Sequence, residues 1–257
     1  MLPTARHPRR RCTVVNGSTH IERTPVDTEL AVRQWQGYVE ALEATGWTTV
    51  EVPAIDRCPD GVFIEDTMVV YDDLAVIARS GADERRPEAA AAEQTVAKQG
   101  YRIKHITEPG TLDGGDILKV GPVVYAGLGG RTNDEGIRQL REALAQFGAD
   151  VRAVPVRKVL HLKSAVTALP DGTVIGYEPL VDDPVAFDSF RPVPEEAGSH
   201  VVLLGEDRLL MAASAPKSAA LFEELGYLPV VVDISEFEKL EGCVTCLSVR
   251  LRRLPPP

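Results

Sequence analysis

Three residue types in this chain could together carry nucleophilic catalysis: a thiol, an imidazole and a carboxylate, each in its own segment. Cys246 stands in EGCVTCLSVR, His161 in RKVLHLKSAV, and Asp113 with Asp116 flanks the glycine pair of EPGTLDGGD. A thiolate is a strong nucleophile, an imidazole exchanges its proton near neutrality, and a carboxylate orients the imidazole. Each segment also has a plainer reading. A lone cysteine is usually a small buried hydrophobe, a histidine between Leu160 and Leu162 reads as a core residue, and DGGD reads as a polar turn whose glycines permit tight backbone geometry. Cys243 and Cys246 spell C-x-x-C, but a redox C-x-x-C opens a helix, and this one lies in a β-branched, extended-looking run. Alternation along a strand would set its two side chains on opposite faces. A structural zinc site needs four ligands, and the histidines at 7, 20, 105, 161 and 200 have no matching spacing.

A second group of residues handles charge. PDGVFIEDT supplies Asp60 and the adjacent acids Glu65 and Asp66, GADERRPE supplies Arg85 and Arg86, and LGGRTN supplies Arg131. Acids beside an apolar run could hold a cation. Arginines from two separate loops could grip a carboxylate, because the guanidinium fork suits bidentate binding. Solvated surface is the simpler reading of both. GLGGR does not make a nucleotide-phosphate loop, since no strand, GxGxxG and helix follow in order.

The elements that must position these residues recur. DTMVVYDDLAVIAR reads as two β runs around Tyr71-Asp72-Asp73, followed by a helix over 88–99 and an extended YRIKHITEP. DILKVGPVVYAG reads as a hairpin bent at Gly121-Pro122, followed by an amphipathic helix over 133–147 with Ile137, Leu140, Leu144 and Phe147 on one face, and by DVRAVPV. KVLHLKSAVTALPDGTVIGY begins a third unit, with a short helix over 182–188. SHVVLLGEDRLLMAAS begins a fourth, with a helix over 216–226 closed by Gly226 and then YLPVVVDI. These ββαβ units begin near residues 63, 113, 159 and 199. The C-terminal CVTCLSVRL and N-terminal RCTVVNG could pair with a helix over 28–45 and the run TTVEVPA as a fifth. Such a period suggests a radial or solenoid architecture, and terminal strands that close a ring remove exposed edges. An open α/β sheet without symmetry is the alternative.

The chain has 257 residues with 28 Lys and Arg against 38 Asp and Glu, a formal net charge of −10. That lacks the basic footprint of a nucleic-acid binder and is compatible with a cationic small substrate. No apolar run approaches the roughly 18 residues of a membrane span. MLPTARHPRRRC is basic without a signal-type apolar stretch behind it, so residues 1–10 read as a frayed tail. Four cysteines (12, 58, 243 and 246) in this length do not make a disulfide scaffold, which points to the reducing cytoplasm.

Taken in order, the segments PDGVFIED, SGADERRPE, TLDGGDILKVG, GLGGRTNDEG, KVLHLKSAVTAL and LEGCVTCLSVRL, spanning 59–251, resemble the dimethylarginine dimethylaminohydrolases of the guanidino-group modifying superfamily. The resemblance implies an α/β pentein: a five-bladed, pseudo-symmetric ββαβ propeller with N- and C-terminal strands closing the ring. Residues 1–257 would then form one catalytic domain with a lid near 16–25. It implies hydrolysis of Nω,Nω-dimethyl-L-arginine and Nω-methyl-L-arginine to L-citrulline and an amine, with Cys246 as nucleophile, His161 as general acid and base, and Asp113 as its orienting acid, a place where some members carry Glu. By the same resemblance Glu65 and Asp66 pair with the guanidinium, and Arg85 and Arg131 clamp the α-carboxylate. Asp60 and the backbone of Leu240 then border the amino-acid end, and Ser18 belongs to the lid. No metal or organic cofactor is required. The expected partner is a methylated arginine, with no nucleic acid and no membrane, in a monomer or homodimer. An arginine deiminase or amidinotransferase on the same fold, a non-catalytic arginine-binding ring and a redox C-x-x-C protein remain as other readings.

Overall fold

The computed structural model describes residues 24–252 except Asp56. Its first element is helix α1 (Thr28–Ala44). Asp27 caps it: Oδ1 accepts from the amides of Glu29 and Leu30, each at 3.0 Å, which satisfies two of the donors a helix start leaves open. Tyr38 and Leu42, one turn apart, are fully buried.

Four units of one design follow. In the first, β1 (Met68–Tyr71) and β2 (Leu74–Ile77) form an antiparallel hairpin; α2 (Glu88–Lys98) crosses, and β3 (Arg102–His105) returns parallel to β2. The second repeats this with β4 (Ile117–Val120), β5 (Val123–Leu128), α3 (Asp134–Leu144) and β6 (Asp150–Pro155). Both hairpins turn on a residue with positive φ at the same place, Asp72 at 52° and Gly121 at 56°, as the tight primed turns of hairpins require. The third unit has β7 (Val166–Ala168), β8 (Val174–Gly176) and β9 (Phe190–Pro192). The fourth has β10 (Val202–Gly205), β11 (Arg208–Ala212), α4 (Pro216–Glu224) and β12 (Leu228–Val232). Each unit is thus a separate three-stranded sheet.

Two expectations fail here. The helix expected over 182–188 is absent. Two 3-10 turns, Glu178–Leu180 and Pro184–Ala186, take its place, because Pro179 and Pro184 remove amide donors and clash with a continuing helix. The C-terminal run also does not form a strand through both cysteines. After α5 (Ser235–Glu238) the chain makes a turn over 244–247, and only Val249 beyond it lies in a β-bridge. The run RCTVVNG and residues 16–23 of the expected lid lie outside the described residues.

The core is divided between neighbours rather than gathered in one mass. Val69 and Val76 of the first unit pack with Ile117 and Val124 of the second; Leu118 and Tyr125 of the second pack with Val166 and Val174 of the third. Ile175 of the third packs with Leu209 and Met211 of the fourth. Leu204 and Leu210 of the fourth pack with Tyr38, Leu42, Val244 and Leu247. Val52 and Val249 then pack with Ile64, Met68 and Ala75 of the first.

Candidate active site

A 3-10 turn leads into the first strand of each unit. Ile64–Thr67 carries Glu65 and Asp66, Gly114–Asp116 follows Asp113, and Leu162–Ser164 follows His161. The first of these turns packs on the second and the second on the third, so one functional segment from each unit meets the next. The glycine pair permits this approach. A Cβ on Gly114 would strike the Glu65 carbonyl, and one on Gly115 would lie 2.5 Å from Asp66 Oδ1 and 2.8 Å from His161 Nδ1. The DGGD motif is therefore a close-contact surface rather than a solvent turn.

His161 is buried between carboxylates. Its Nε2 lies 3.1 Å from Asp113 Oδ2, and its Nδ1 lies 3.7 Å from Asp66 Oδ1. Burial disfavours the imidazolium, but Asp66, the Asp113 hydrogen bond and Asp116 outweigh it and hold the pKa up at about 9. Asp113 is itself fixed: Oδ1 accepts from Gly81 N at 3.1 Å, and its own amide donates to Thr132 Oγ1 at 3.1 Å. The Thr132 hydroxyl donates to Asp116 Oδ2 at 2.6 Å, while Asp116 Oδ1 accepts from Leu162 N at 2.9 Å. Asp116 therefore braces the backbone that carries His161. Burial raises its own pKa to about 6, against the pull of His161 and these hydrogen bonds.

Cys246 sits on the turn beside this group. The amide of Glu65 donates to its carbonyl at 3.1 Å. The expected separation of Cys243 and Cys246 onto opposite faces is overturned: the turn folds back, and the two sulfurs lie 3.1 Å apart, both free thiols. The hydrogen bond with Cys243, burial and the carboxylates of Glu65 and Asp66 push the Cys246 thiol well up. Glu65 Oε1 pairs with Lys163 Nζ at 2.6 Å. Its Oε2 is buried with no hydrogen-bond partner among the described residues, and burial raises the Glu65 pKa despite Lys163.

Arg85 and Arg131 are both buried, but they are placed differently. Arg85 donates to Asp66 Oδ2 at 2.6 Å, to Glu88 Oε2 at 2.8 Å and to the carbonyls of Asp60 and Phe63 at 3.3 and 3.2 Å. Those bonds, with His161, overcome burial and hold Asp66 down at about 2. Arg131 Nη1 instead lies 3.7 Å from Asp113 Oδ2 and has no hydrogen-bond partner among the described residues. Without a ligand, Arg85 is thus committed to acids of the chain, and Arg131 has the unused donor that a carboxylate could take. Arg85→Ala leaves Glu88 a buried acid without its ion pair and takes one of two cations from Asp66, so it should cost about 3–5 kcal/mol of stability in urea unfolding. Arg131→Ala should mainly raise KM, by about 10–100-fold for a lost charge-assisted bond. An Arg85→Ala protein of wild-type stability with only a raised KM would return Arg85 to the substrate.

Asp60 lies half-buried in the turn before Phe63, and Leu240 follows α5, packed on the cluster that holds Phe63, Phe237 and Cys246. Ser18 lies outside the described residues. Sequence reasoning missed Lys163, Glu88 and Thr132. A charged residue two positions past His161, and an acid three positions past Arg85, were the available signals. Ligand atoms of Asp66, Asp113 and His161 lie within 4.8 Å of one another, a set that could hold a metal ion. However, Arg85 and Gly115 N already occupy both Asp66 oxygens, and Arg131 borders Asp113. The set is better matched to a protonated imidazole than to a metal among two arginines.

Comparison with known proteins gives consistent relatives. Residues 45–253 match the arginine deiminase family model. An N(G),N(G)-dimethylarginine dimethylaminohydrolase of Streptomyces coelicolor is 63% identical over 92% of each chain. The Pseudomonas aeruginosa enzyme of the same name, solved as a cysteine-to-serine variant with citrulline, superposes with a TM-score of 0.87 at 32% identity, covering 97% of this chain and 98% of that one. A dimethylarginine dimethylaminohydrolase solved as a histidine-to-glycine variant in adduct with S-methyl-L-thiocitrulline also gives 0.87 at 32% identity, covering 97% and 99%. The shared architecture is the α/β pentein fold. No helix among the described residues is long and apolar enough to cross a membrane.

Proposed function

This chain belongs to the arginine deiminase family and, within it, to the dimethylarginine dimethylaminohydrolases, and we propose that it hydrolyses Nω,Nω-dimethyl-L-arginine and Nω-methyl-L-arginine through a covalent intermediate on Cys246. The observation that carries this reading is a pair of orphaned atoms of opposite character. Among the described residues, Glu65 Oε2 is a buried acceptor without a hydrogen-bond donor, and Arg131 Nη1 is a buried donor without a hydrogen-bond acceptor. An unpaired buried polar atom costs on the order of 1–3 kcal/mol, more when charged. An arginine-like zwitterion offers a guanidinium N–H to the first and a carboxylate oxygen to the second.

A guanidinium resists attack because its charge is spread over three nitrogens, so a strong nucleophile and a divided barrier help. Glu65 Oε2 takes a guanidinium N–H, and Asp66, whose oxygens keep their bonds to Arg85 and Gly115, adds its negative charge beside the cation. The bound positive charge and the protonated His161 lower the Cys246 pKa, opposing the two acids, so that the thiol loses its proton to solvent. The thiolate adds to the guanidino carbon to give a tetrahedral adduct. His161 protonates the departing dimethylamine, and the adduct collapses to an S-alkylthiouronium. The imidazole, now neutral, takes a proton from water as the oxygen attacks the same carbon. Collapse then breaks the carbon–sulfur bond and leaves citrulline and the free thiol. One histidine serves both halves because each half leaves it in the state the other needs. Asp113, Thr132 and Asp116 keep it in place.

We also read residues 1–257 as a single domain closed into a five-bladed ring by the chain termini. The five hydrophobic clusters support this, since α1, Val52, Val244, Leu247 and Val249 fill the place between the fourth unit and the first. Cytoplasmic placement is supported by the free thiols of Cys58, Cys243 and Cys246, and the protein would act there as a monomer or a homodimer. Citrulline release from dimethylarginine, monomethylarginine and arginine, measured side by side, tests the reading. Higher kcat/KM on the methylated substrates is expected, and a preference for arginine would make the protein a deiminase instead.

A further inference from the structure

A third orphaned atom lies away from the reacting groups. Arg250 Nη1 is buried with no hydrogen-bond partner among the described residues. It lines a cavity of about 90 Å³ whose other charged walls are Lys119, Lys163 and Glu65. Cys246, His161 and Asp113 are not among its walls, so the Glu65–Lys163 pair is the boundary between the cavity and the reaction site. Three cations thus face one acid, and that acid is already committed to Lys163 at 2.6 Å. Lys119 stands at an exposed position on β4 and lines the cavity. Its Nζ donates one bond, to the Val70 carbonyl at 2.6 Å, and two N–H groups are left over. Protein crowded around that ammonium, together with Arg250, Lys163 and Arg252, pulls its pKa down to about 7. Burial is the larger cause of that depression, and the neighbouring cations add to it. The hydroxyl-bearing Thr245 and Ser248 also line the space. In a chain of net charge −10, a cationic hollow of this kind is a local inversion of sign.

We propose that this cavity is an anion site, binding a small inorganic oxyanion of the sulfate and phosphate class between Lys119, Lys163 and Arg250. A tetrahedral oxyanion has acceptors in several directions and would meet the unused donors of Lys119 and Arg250 at once, with charge-assisted bonds. A space of about 90 Å³ suits the free ion better than a phosphate carried on a larger molecule.

The test is isothermal titration of sodium sulfate into the full chain at constant ionic strength, with the substrate site saturated by citrulline. One saturable site is expected. Arg250→Gln and Lys119→Met should each weaken it about tenfold or more, the worth of a charge-assisted bond. Lys119→Met, at an exposed strand position, decides the matter alone if Arg250→Gln does not fold. Glucose 6-phosphate should not bind. Absence of saturable binding, or equal affinity in the wild type and the variants, overturns the proposal. So does loss of sulfate binding when citrulline is present, which would place the ion at Arg131, and so does glucose 6-phosphate binding as tight as sulfate.

Discussion

Cys246→Ser protein should bind dimethylarginine and release no citrulline, with kcat reduced on the order of 10⁴-fold or more. The surroundings of Cys246 explain why a hydroxyl cannot substitute. The residue sits beside two carboxylates, and these oppose any negative charge on it: even the thiol is pushed upward before a cation arrives. A serine hydroxyl starts from a far higher pKa, and the described structure places no neutral base next to it, since His161 holds its proton up to about pH 9. Binding should survive, because Glu65, Asp66 and Arg131 do not depend on the sulfur. The dissociation constant should therefore stay within a few-fold, and intact-mass spectra should show no adduct. Retained turnover would remove Cys246 from the nucleophile role.

His161→Gly should separate the two halves of the reaction. On dimethylarginine both halves lose their proton carrier, and each general acid or base step is worth roughly 10²–10⁴-fold, so turnover should be undetectable. A substrate whose leaving group departs without a proton, such as an S-alkylthiocitrulline losing a thiolate, should still complete the first half. The adduct should then accumulate on Cys246 and be visible as a stable mass increase. Rapid hydrolysis of that adduct would mean that another group activates the water. The wild-type rate has a matching signature. The folded pKa of His161 is raised to about 9, so the protonated form that donates to the amine is full below that pH and lost above it. The rate of amine release should fall on the alkaline side through about pH 9.

Much of this was legible before the structure because hairpins and amphipathic helices announce themselves locally. Asp72 and Gly121 mark their turns by residue type, and Ile137, Leu140 and Leu144 mark the buried face of α3. The third unit departs from the recurring order, which leads one to expect a helix over 182–188, because Pro179 and Pro184 decide the backbone. The C-x-x-C run was misread for a related reason. Its β-branched composition favours a strand, but the turn over 244–247 sets both sulfurs together. The identities of the reacting residues were accessible from motif order. Their supports were not: Lys163 pairs across units with an acid 98 residues away, which leaves no periodic mark, and nothing in the local sequence sets Glu88 or Thr132 apart from surface polar residues.

That separation between partners bears on how the protein assembles. His161 and Asp113 are 48 residues apart, Asp66 and Gly115 are 49 apart, and Leu162 and Asp116 are 46 apart. No hairpin or single unit contains two members of the same contact, although each hairpin closes on itself over a few residues. Loop-closure entropy must therefore be met before any of these contacts returns free energy. A folding intermediate could hold all four sheets, and give the circular dichroism of the native chain, while having no active site at all.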